Sequence, residues 1–325
     1  MGMTRFAAGC LIRIVAAASL ASAASLSSAY AAARDDEAEA QARETWRESI
    51  VQIEVPGEGC FFASYPDTKW LPVECTAAPD HPFVPRRGRA AADTVGNGND
   101  YAAEVSGVMS RAIGSFPTIK GVTSETGLAG ANDYSLQLNS DFMSTAACEG
   151  HVGCLSWAQF VYSSGEGIAF MQFWLIGFGT PCPQGWHAYE GDCYRNSAAV
   201  TVPDVLVTAL NTLKLAGKAV SGGKDTLTFT QGTTAHSVTA NDSLVDLASA
   251  WQASEFNVIG DGDGSEAVFN NGSSIRVRLE VINGTTAAPT CLSDAGTTGE
   301  TNNLNLRACT ATGGTTPFIA FTESN

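Results

Sequence analysis

A single carboxamide, Gln172, interrupts the apolar run Ile168–Ile176 near the middle of the chain. A run of this length, rich in aromatic and β-branched residues, is typical of a buried strand. Strand alternation places Gln172 on one face with Phe170 and Trp174. Because burying an amide without partners costs about 1–3 kcal/mol, Gln172 is either a core glutamine bonded to the backbone or part of a cleft that binds or catalyses.

A carboxylate, Glu255, belongs to a second strand-like segment further along the chain. If its neighbours Phe256 and Val258 enter the core, Glu255 points to the opposite face of that strand. Trp157 and Gln159 share a face of a third segment in the same way. Three such faces on one curved sheet would gather a carboxylate, amides and indole walls around one cleft.

Residues 155–176 read Leu-Ser-Trp-Ala-Gln-Phe-Val-Tyr-Ser-Ser-Gly-Glu-Gly-Ile-Ala-Phe-Met-Gln-Phe-Trp-Leu-Ile. This segment resembles the paired strands of the glutamic peptidases (eqolisins), in which a strand with a substrate-lining Trp turns back into a strand with the catalytic Gln. Ser254-Glu255-Phe256 stands where that family carries its catalytic Glu. The resemblance extends over about residues 155–282 and implies a concanavalin A-like jelly-roll β-sandwich.

Carried over by position, the resemblance implies Gln172 and Glu255 as the catalytic pair, with Trp157 and Trp174 binding a polypeptide substrate. A carboxylate can take the proton of an attacking water, and an amide can hold that water and stabilise the oxyanion. Such a site needs neither a metal nor a cofactor. Gln137 is a rival for the amide role because it also stands alone in an apolar strand.

The sequence departs from the family pattern at two places beside these residues. Bulky Phe173 and Trp174 follow Gln172, where the family prefers small residues, and Phe256 replaces the usual Trp after the glutamate. The bulk of Phe173 and Trp174 would reduce access to the expected cleft.

Residues 1–33 have the form of a secretory signal, with Arg5 and Arg13 before an Ala-rich apolar stretch and small residues at its end. We therefore expect a secreted protein, extracellular or periplasmic. The 325-residue chain carries a formal charge of −15. A chain this acidic, without a basic cluster, is expected to bind neither nucleic acid nor anionic lipid, and we expect no membrane insertion.

Eight cysteines follow the signal, an even number that favours disulfides in a secreted protein. Their spacing suggests four short sequential loops, although connectivity stays open: 60–75, 148–154, 182–193 and 291–309. The four histidines are scattered and no Cys-x-x-Cys is present, so a metal site is not expected. Asp261-Gly-Asp-Gly-Ser265 resembles half of a calcium loop, but a hairpin turn is the better interpretation.

Three regions follow from composition. Residues 1–33 form the signal, residues 34–95 an N-terminal segment that could be a propeptide, and residues 96–325 a β-sandwich domain. The proline-containing segment around residues 78–99 is the best linker candidate. Within it, Arg86-Arg87-Gly88-Arg89 is either an accessible propeptide junction or a surface loop. We expect a monomer.

Many short strand-like segments, separated by Gly, Asn, Ser, Thr and Asp turns, follow one another from Asp133 onward. Strands are also expected at Ile50–Val55 and Gly59–Tyr65, and a helix over residues 34–49. Val205–Ala216 fits helix or strand, and a short helix is expected within Asn241–Gln252.

The sequence thus favours a secreted glutamic-type endopeptidase. The main alternative is a non-catalytic extracellular binding module, in which exposed Trp157, Trp174 or Trp186 would stack on a glycan or another polymer. An envelope or adhesion protein is a third possibility.

Overall fold

The fold is taken from a computed structural model, which describes residues 34, 36–88 and 93–325. The expected signal, residues 1–33, and Arg89 of the expected junction lie outside the described residues.

The described part of the chain is almost entirely strand. A helix, α1, covers residues 36–50, and a second short helix, α2, is Leu247–Ala250. The first strands are β1 (Cys60–Ser64), β2 (Leu71–Val73), β3 (Thr94–Gly96), β4 (Ala102–Glu104), β5 (Arg111–Lys120), β6 (Glu125–Thr126), β7 (Tyr134–Ser140), β8 (Leu155–Ser163), β9 (Ile168–Ile176), β10 (His187–Tyr189) and β11 (Asp192–Thr201). The later strands are β12 (Leu213–Lys218), β13 (Lys224–Gln231), β14 (Thr234–Asn241), β15 (Ala253–Gly260), β16 (Glu266–Phe269), β17 (Ser274–Ile282), β18 (Thr290–Leu292), β19 (Thr301–Leu306), β20 (Thr310–Thr312) and β21 (Phe318–Ser324).

These strands form two sheets. The smaller sheet has the order β10-β11-β9-β8-β7-β15-β4-β18. The larger sheet follows the path β2-β1-β14-β13-β12-β5-β17-β21-β19-β16-β6, with β20 and β3 paired to β21 and β19. The expected all-β sandwich is therefore confirmed.

The inner faces of the two sheets meet in one core. Leu138, Phe160 and Phe256 of the smaller sheet are buried together with Phe229 and Leu279 of the larger sheet. Alternation along the strands then turns their polar neighbours to the outer face of the smaller sheet. That outer face carries the candidate site.

The N-terminal segment is built into the sandwich. β1 pairs antiparallel with β14, so that Cys60 lies opposite Val238. Trp46 and Ile50 of α1 are buried against Ile113 and Ala216 of the larger sheet. The segment 34–95 therefore contributes strands to the larger sheet.

All four expected cysteine pairs are disulfides in the structure: Cys60–Cys75, Cys148–Cys154, Cys182–Cys193 and Cys291–Cys309. Each closes a short loop of the β-scaffold. No helix among the described residues is long and apolar enough to cross a membrane.

Several local expectations are confirmed and others are wrong. The N-terminal helix is present, but the expected strand Ile50–Val55 is wrong, because the helix runs to residue 50 and a turn follows. Val205–Ala216 divides into a 3₁₀ helix, Val207–Thr212, and the start of β12. The expected linker is instead partly buried, since residues 82–85 are covered on the outer face of the smaller sheet.

Candidate functional site

A row of polar side chains crosses four neighbouring strands on the outer face of the smaller sheet. Gln172 of β9 lies opposite Gln159 of β8, Gln159 lies opposite Asn139 of β7, and Asn139 lies opposite Glu255 of β15. Directly opposite residues share a face. All four side chains are buried, the most exposed being Glu255 at 3%.

Hydrogen bonds connect most of this row. Asn139 donates from Nδ2 to Oε1 of Glu255 at 2.8 Å. Gln137, on the same face of β7, accepts at Oε1 from Gln159 at 3.1 Å and from Asn139 at 3.3 Å. The carboxylate is thereby linked to a chain of carboxamides, and Oδ1 of Asn139 has no hydrogen-bond partner among the described residues.

The structure does not bring Gln172 and Glu255 together. The strands β8 and β7 lie between β9, which carries Gln172, and β15, which carries Glu255. Because neighbouring strands are about 4.8 Å apart, the two backbones are separated by about 14 Å. Oε1 of Gln172 accepts from the main-chain N–H of Phe83 at 2.8 Å and from Nε1 of Trp174 at 2.9 Å, and Nε2 donates to Asn196 at 2.8 Å. The expected sharing of one water by Gln172 and Glu255 is not possible in this arrangement.

A loop covers Glu255 from outside. The main-chain N–H of Thr297 donates to both carboxylate oxygens at 2.9 Å, its hydroxyl donates at 2.5 Å, and the N–H of Thr298 donates at 3.0 Å. Burial nevertheless raises the pKa of Glu255, because the low-dielectric surroundings disfavour its charged form more than these donors favour it.

A second carboxyl, Asp100, lies beside Glu255. Both side chains approach Gly296, where an added Cβ would lie 2.9 Å from Oδ2 of Asp100 and 2.9 Å from Oε2 of Glu255. Burial, and next the charge of Glu255, raise the pKa of Asp100 to about 7. Two adjacent acids in such a setting favour holding one proton between them.

A third buried carboxyl, Glu300, joins the row to the N-terminal segment. Its Oε1 accepts from the N–H of Val84 at 2.9 Å and of Gly264 at 3.1 Å. Its Oε2 accepts from Nε2 of Gln137 at 3.2 Å and from the Thr298 hydroxyl. Burial raises the pKa of Glu300 above its usual range.

Residues 79–86 cross this outer face, and we call them the strap. At one end the strap is held by β11: Asn196 donates to the carbonyl of Pro79 at 2.8 Å, and the Tyr194 hydroxyl donates to the carbonyl of Asp80 at 3.0 Å. A bulge interrupts β11 just after Asn196, which faces Gln172. Bulges of this kind re-aim side chains beside functional sites.

At its other end the strap is held by the loop that covers Glu255. The N–H of Gly299 donates to the carbonyl of Val84 at 2.7 Å, and the N–H of Arg86 donates to the carbonyl of Thr297 at 2.8 Å. The prolines at positions 82 and 85 keep the residues before them extended. The strap therefore lies on the polar row as an extended polypeptide.

The two tryptophans expected to line the cleft are buried. Trp157 and Trp174 are each 0% exposed. Trp157 donates to the Thr297 hydroxyl at 3.0 Å, and Trp174 donates to Gln159 at 3.2 Å as well as to Gln172. Trp186 is partly buried. The expectation that Trp157 and Trp174 offer open stacking surfaces is wrong for this structure.

The basic residues at the end of the strap and just beyond it are accessible. Arg86, Arg87 and Gly88 are exposed, and Arg87 lies 3.2 Å from a carboxylate oxygen of Asp192 and 3.4 Å from one of Glu190. The described part of the expected junction is therefore at the surface, and whether it is cut stays a prediction.

No group of three or more His, Cys, Asp or Glu side chains in residues 34, 36–88 and 93–325 could hold a metal ion. In the calcium-like turn, Asp261 accepts a 2.7 Å hydrogen bond from Ser163. The turn lies between β15 and β16.

Sequence reasoning missed three of the residues that form the site. Asn139 could have been found, because alternation along β7 puts it on the same face as Gln137. Glu300 and Asp100 stand in turn-rich segments without periodicity, and only long-range folding brings Glu300 to the strap and Asp100 to Glu255.

The comparisons with known proteins are sparse. A solved structure of SCP-B, a member of the eqolisin family of peptidases, in a complex with the tripeptide Ala-Ile-His, matches with 10% sequence identity and a TM-score of 0.31. The match covers 71% of this chain and 98% of that chain. No family model and no curated protein matches. A likeness at this level does not establish a family.

Proposed function

We propose that this chain is a peptidase of the glutamic type that is latent while the strap occupies its own polypeptide-binding face. The observation that supports this most strongly is the pairing of consecutive main-chain N–H groups with a carboxamide and a carboxylate. Phe83 donates to Gln172 and Val84 donates to Glu300. Buried Gln and Glu side chains thus already hold an extended polypeptide.

In this proposal Glu255 is the general base and Asn139 is the amide that helps to hold the attacking water. The two are in contact at 2.8 Å, and Oδ1 of Asn139 is available to accept a further hydrogen bond. A raised pKa makes a carboxylate a stronger base, and general-base assistance typically contributes 10²–10⁴-fold in rate. Glu255 takes the proton of the attacking water and then gives it to the departing amine as the peptide bond breaks, while Asp100 stays protonated beside it because burial and the charge of Glu255 raise its pKa to about 7.

Gln172 and Glu300 take a different part, which is to bind the substrate main chain as they bind the strap. The loop through Thr297 and Thr298 separates Glu255 from the strap. Activity therefore requires this loop to move as well as the strap. The two movements are linked, because the carbonyl of Thr297 in the loop accepts a hydrogen bond from the N–H of Arg86 at the end of the strap.

We further propose that the protein is secreted. Four disulfides are typical of chains that fold in an oxidising compartment. A substrate outside the cell and release of the strap by cleavage near the exposed Arg87 are consistent with that location.

Casein digestion between about pH 3 and 7 tests the proposal. A site for a specific protease is inserted after Gly88, the chain is cut there, and the wild type is compared with Glu255→Gln, Asn139→Ala and Glu300→Gln. We expect the cut wild type to digest casein and the Glu255→Gln variant to lose roughly 100-fold or more. Equal digestion by all four would remove the proposal.

A non-catalytic role has one observation in its favour. Glu255 accepts several hydrogen bonds from a single loop, which is also what a carboxylate that only pins that loop would do. If the cut chain lacks activity while Glu255→Gln loosens the loop, this second function is the better account.

A further inference from the structure

The side chain of Phe83 fills an apolar pocket on the polar face of the smaller sheet. It is 0% exposed and belongs to a small separate cluster of buried residues. The other buried members of this cluster line the pocket: Val161, Ile168, Phe170 and Ala199. The pocket is distinct from the main core between the sheets, which forms its own cluster.

The pocket fits an aromatic ring in shape and chemistry. The rings of Phe83 and Phe170 are 5.6 Å apart at an interplanar angle of 62°, an edge-to-face arrangement. Aromatic pairs favour this geometry because the positive edge of one ring meets the negative face of the other. The four lining side chains are apolar, so a charged or polar side chain would lose its hydration there without gaining a partner.

The pocket is also in register with the site. Phe83 contributes both the buried ring and the main-chain N–H that Gln172 accepts at 2.8 Å. The next N–H, from Val84, is accepted by Glu300. A ligand that places a ring in this pocket therefore also places its own main chain against the carboxamide and the carboxylate.

We propose that this pocket is a specificity site for an aromatic side chain of an extended polypeptide, and that Phe83 occupies it in cis. The inference rests on the proposed function for its biological meaning, but it makes a separate claim about binding. The preferred ligand carries Phe, Tyr or Trp where the strap carries Phe83, flanked by residues that keep the chain extended.

Peptide binding tests the inference without requiring turnover. The full chain with Phe83→Ala is mixed with a fluorescent peptide that copies residues 79–87, and with the same peptide carrying Phe83→Ala. The aromatic peptide should bind roughly 10- to 100-fold more tightly, as expected from the area of a buried ring. Wild type should bind neither well, because the tethered strap competes at high effective concentration.

A filled pocket provides the matched control. In Phe83→Ala/Ala199→Leu, the added side chain should occupy the space for the ring and remove the preference for the aromatic peptide. Each variant is first checked for a cooperative melt. Should Phe83→Ala not fold, wild type is cut at sites inserted both before Pro79 and after Gly88, so that the strap can leave, and is used with the same two peptides.

The outcomes separate the two claims. Equal affinity for both peptides, or no binding of either by a folded and opened protein, overturns the pocket. Discriminating binding without any hydrolysis overturns the proposed peptidase and leaves the pocket intact. Hydrolysis without a preference for the aromatic peptide overturns the pocket and leaves the proposed peptidase intact.

Discussion

The main-chain N–H of Phe83 donates a 2.8 Å hydrogen bond to Oε1 of Gln172, which fastens the strap to the middle of the smaller sheet. Gln172→Ala removes this acceptor and leaves a covered N–H unpaired, at a cost of about 1–3 kcal/mol. We expect faster amide exchange at Phe83 and Val84 and a lower free energy of unfolding. Gln231→Ala, a carboxamide at the end of β13, is the control and should change neither. Unchanged exchange at Phe83 in Gln172→Ala would contradict this.

Glu300→Gln should destabilise the protein although it preserves the size of the side chain. The Glu300 carboxylate accepts four hydrogen bonds, two at each oxygen. The NH₂ group of a glutamine cannot accept, so it would face two donors without a partner for them. We expect a loss of about 1–3 kcal/mol in urea unfolding. The matched control is Glu323→Gln on β21, where the carboxyl is also buried but its hydrogen bonds come from two side-chain amides, Asn302 at 3.5 Å and Asn257, and not from the strap. Equal effects of the two changes would be inconsistent with the role given to Glu300.

Stability should fall as the pH rises from acidic to neutral. Burial raises the pKa of Asp100 and Asp261 to about 7 and of Asp225 to about 8. A carboxyl with a raised folded pKa binds more protons in the folded state, so its contribution is complete below its unfolded pKa and is lost as pH rises toward its folded pKa. Thermal melts should show a higher Tm near about pH 5 than near about pH 8, because this interval lies roughly between the unfolded and the folded pKa values of these carboxyls.

Asp225→Asn provides the control for this pH dependence, because an amide does not titrate. It should flatten the decline in Tm at neutral pH. His236 acts in the opposite sense, because burial lowers its pKa to about 4 and stability therefore falls as the pH drops from the ordinary histidine pKa toward that value. A Tm that rises steadily from acidic to neutral pH would be incompatible with the buried carboxyls.

The disulfide Cys291–Cys309 tethers the region that carries Thr297, and its sequence separation is 18 residues. Its removal by Cys291→Ser/Cys309→Ser should lower stability by about 2–4 kcal/mol, chiefly by freeing the unfolded chain. Amide exchange at Thr297 and Thr298 should also accelerate. Removal of the disulfide Cys148–Cys154, which spans only 6 residues, should lower stability less and leave amide exchange at Thr297 and Thr298 unchanged.

Local pattern was sufficient to predict much of the fold. The run Ile168–Ile176 is a strand with the predicted bounds, because its aromatic and β-branched content and its turn-rich flanks agree. The disulfides followed from the even count and the short spacings. The strand β5, Arg111–Lys120, was not predicted, because its apolar residues are interrupted by Gly114 and Pro117.

The candidate site was only partly predictable, because its decisive contacts are long-range. Alternation correctly put Gln172 and Glu255 on outer-facing positions, but the order of strands between them is a property of topology. Pro82 and Pro85 indicated a linker, since prolines avoid regular structure. They instead keep the strap extended across the sheet, where Val84 meets Glu300, a residue 216 positions later.

The most direct test of the central claim is the hydrolysis rate of an internally quenched peptide, with an aromatic residue at its centre, before and after the chain is cut at a site inserted after Gly88. We predict a marked rise in rate on cutting at a pH above the raised pKa of Glu255, where this carboxylate is deprotonated, and no such rise for cut Glu255→Gln. A cut, folded wild type that hydrolyses no faster than cut Glu255→Gln would contradict it.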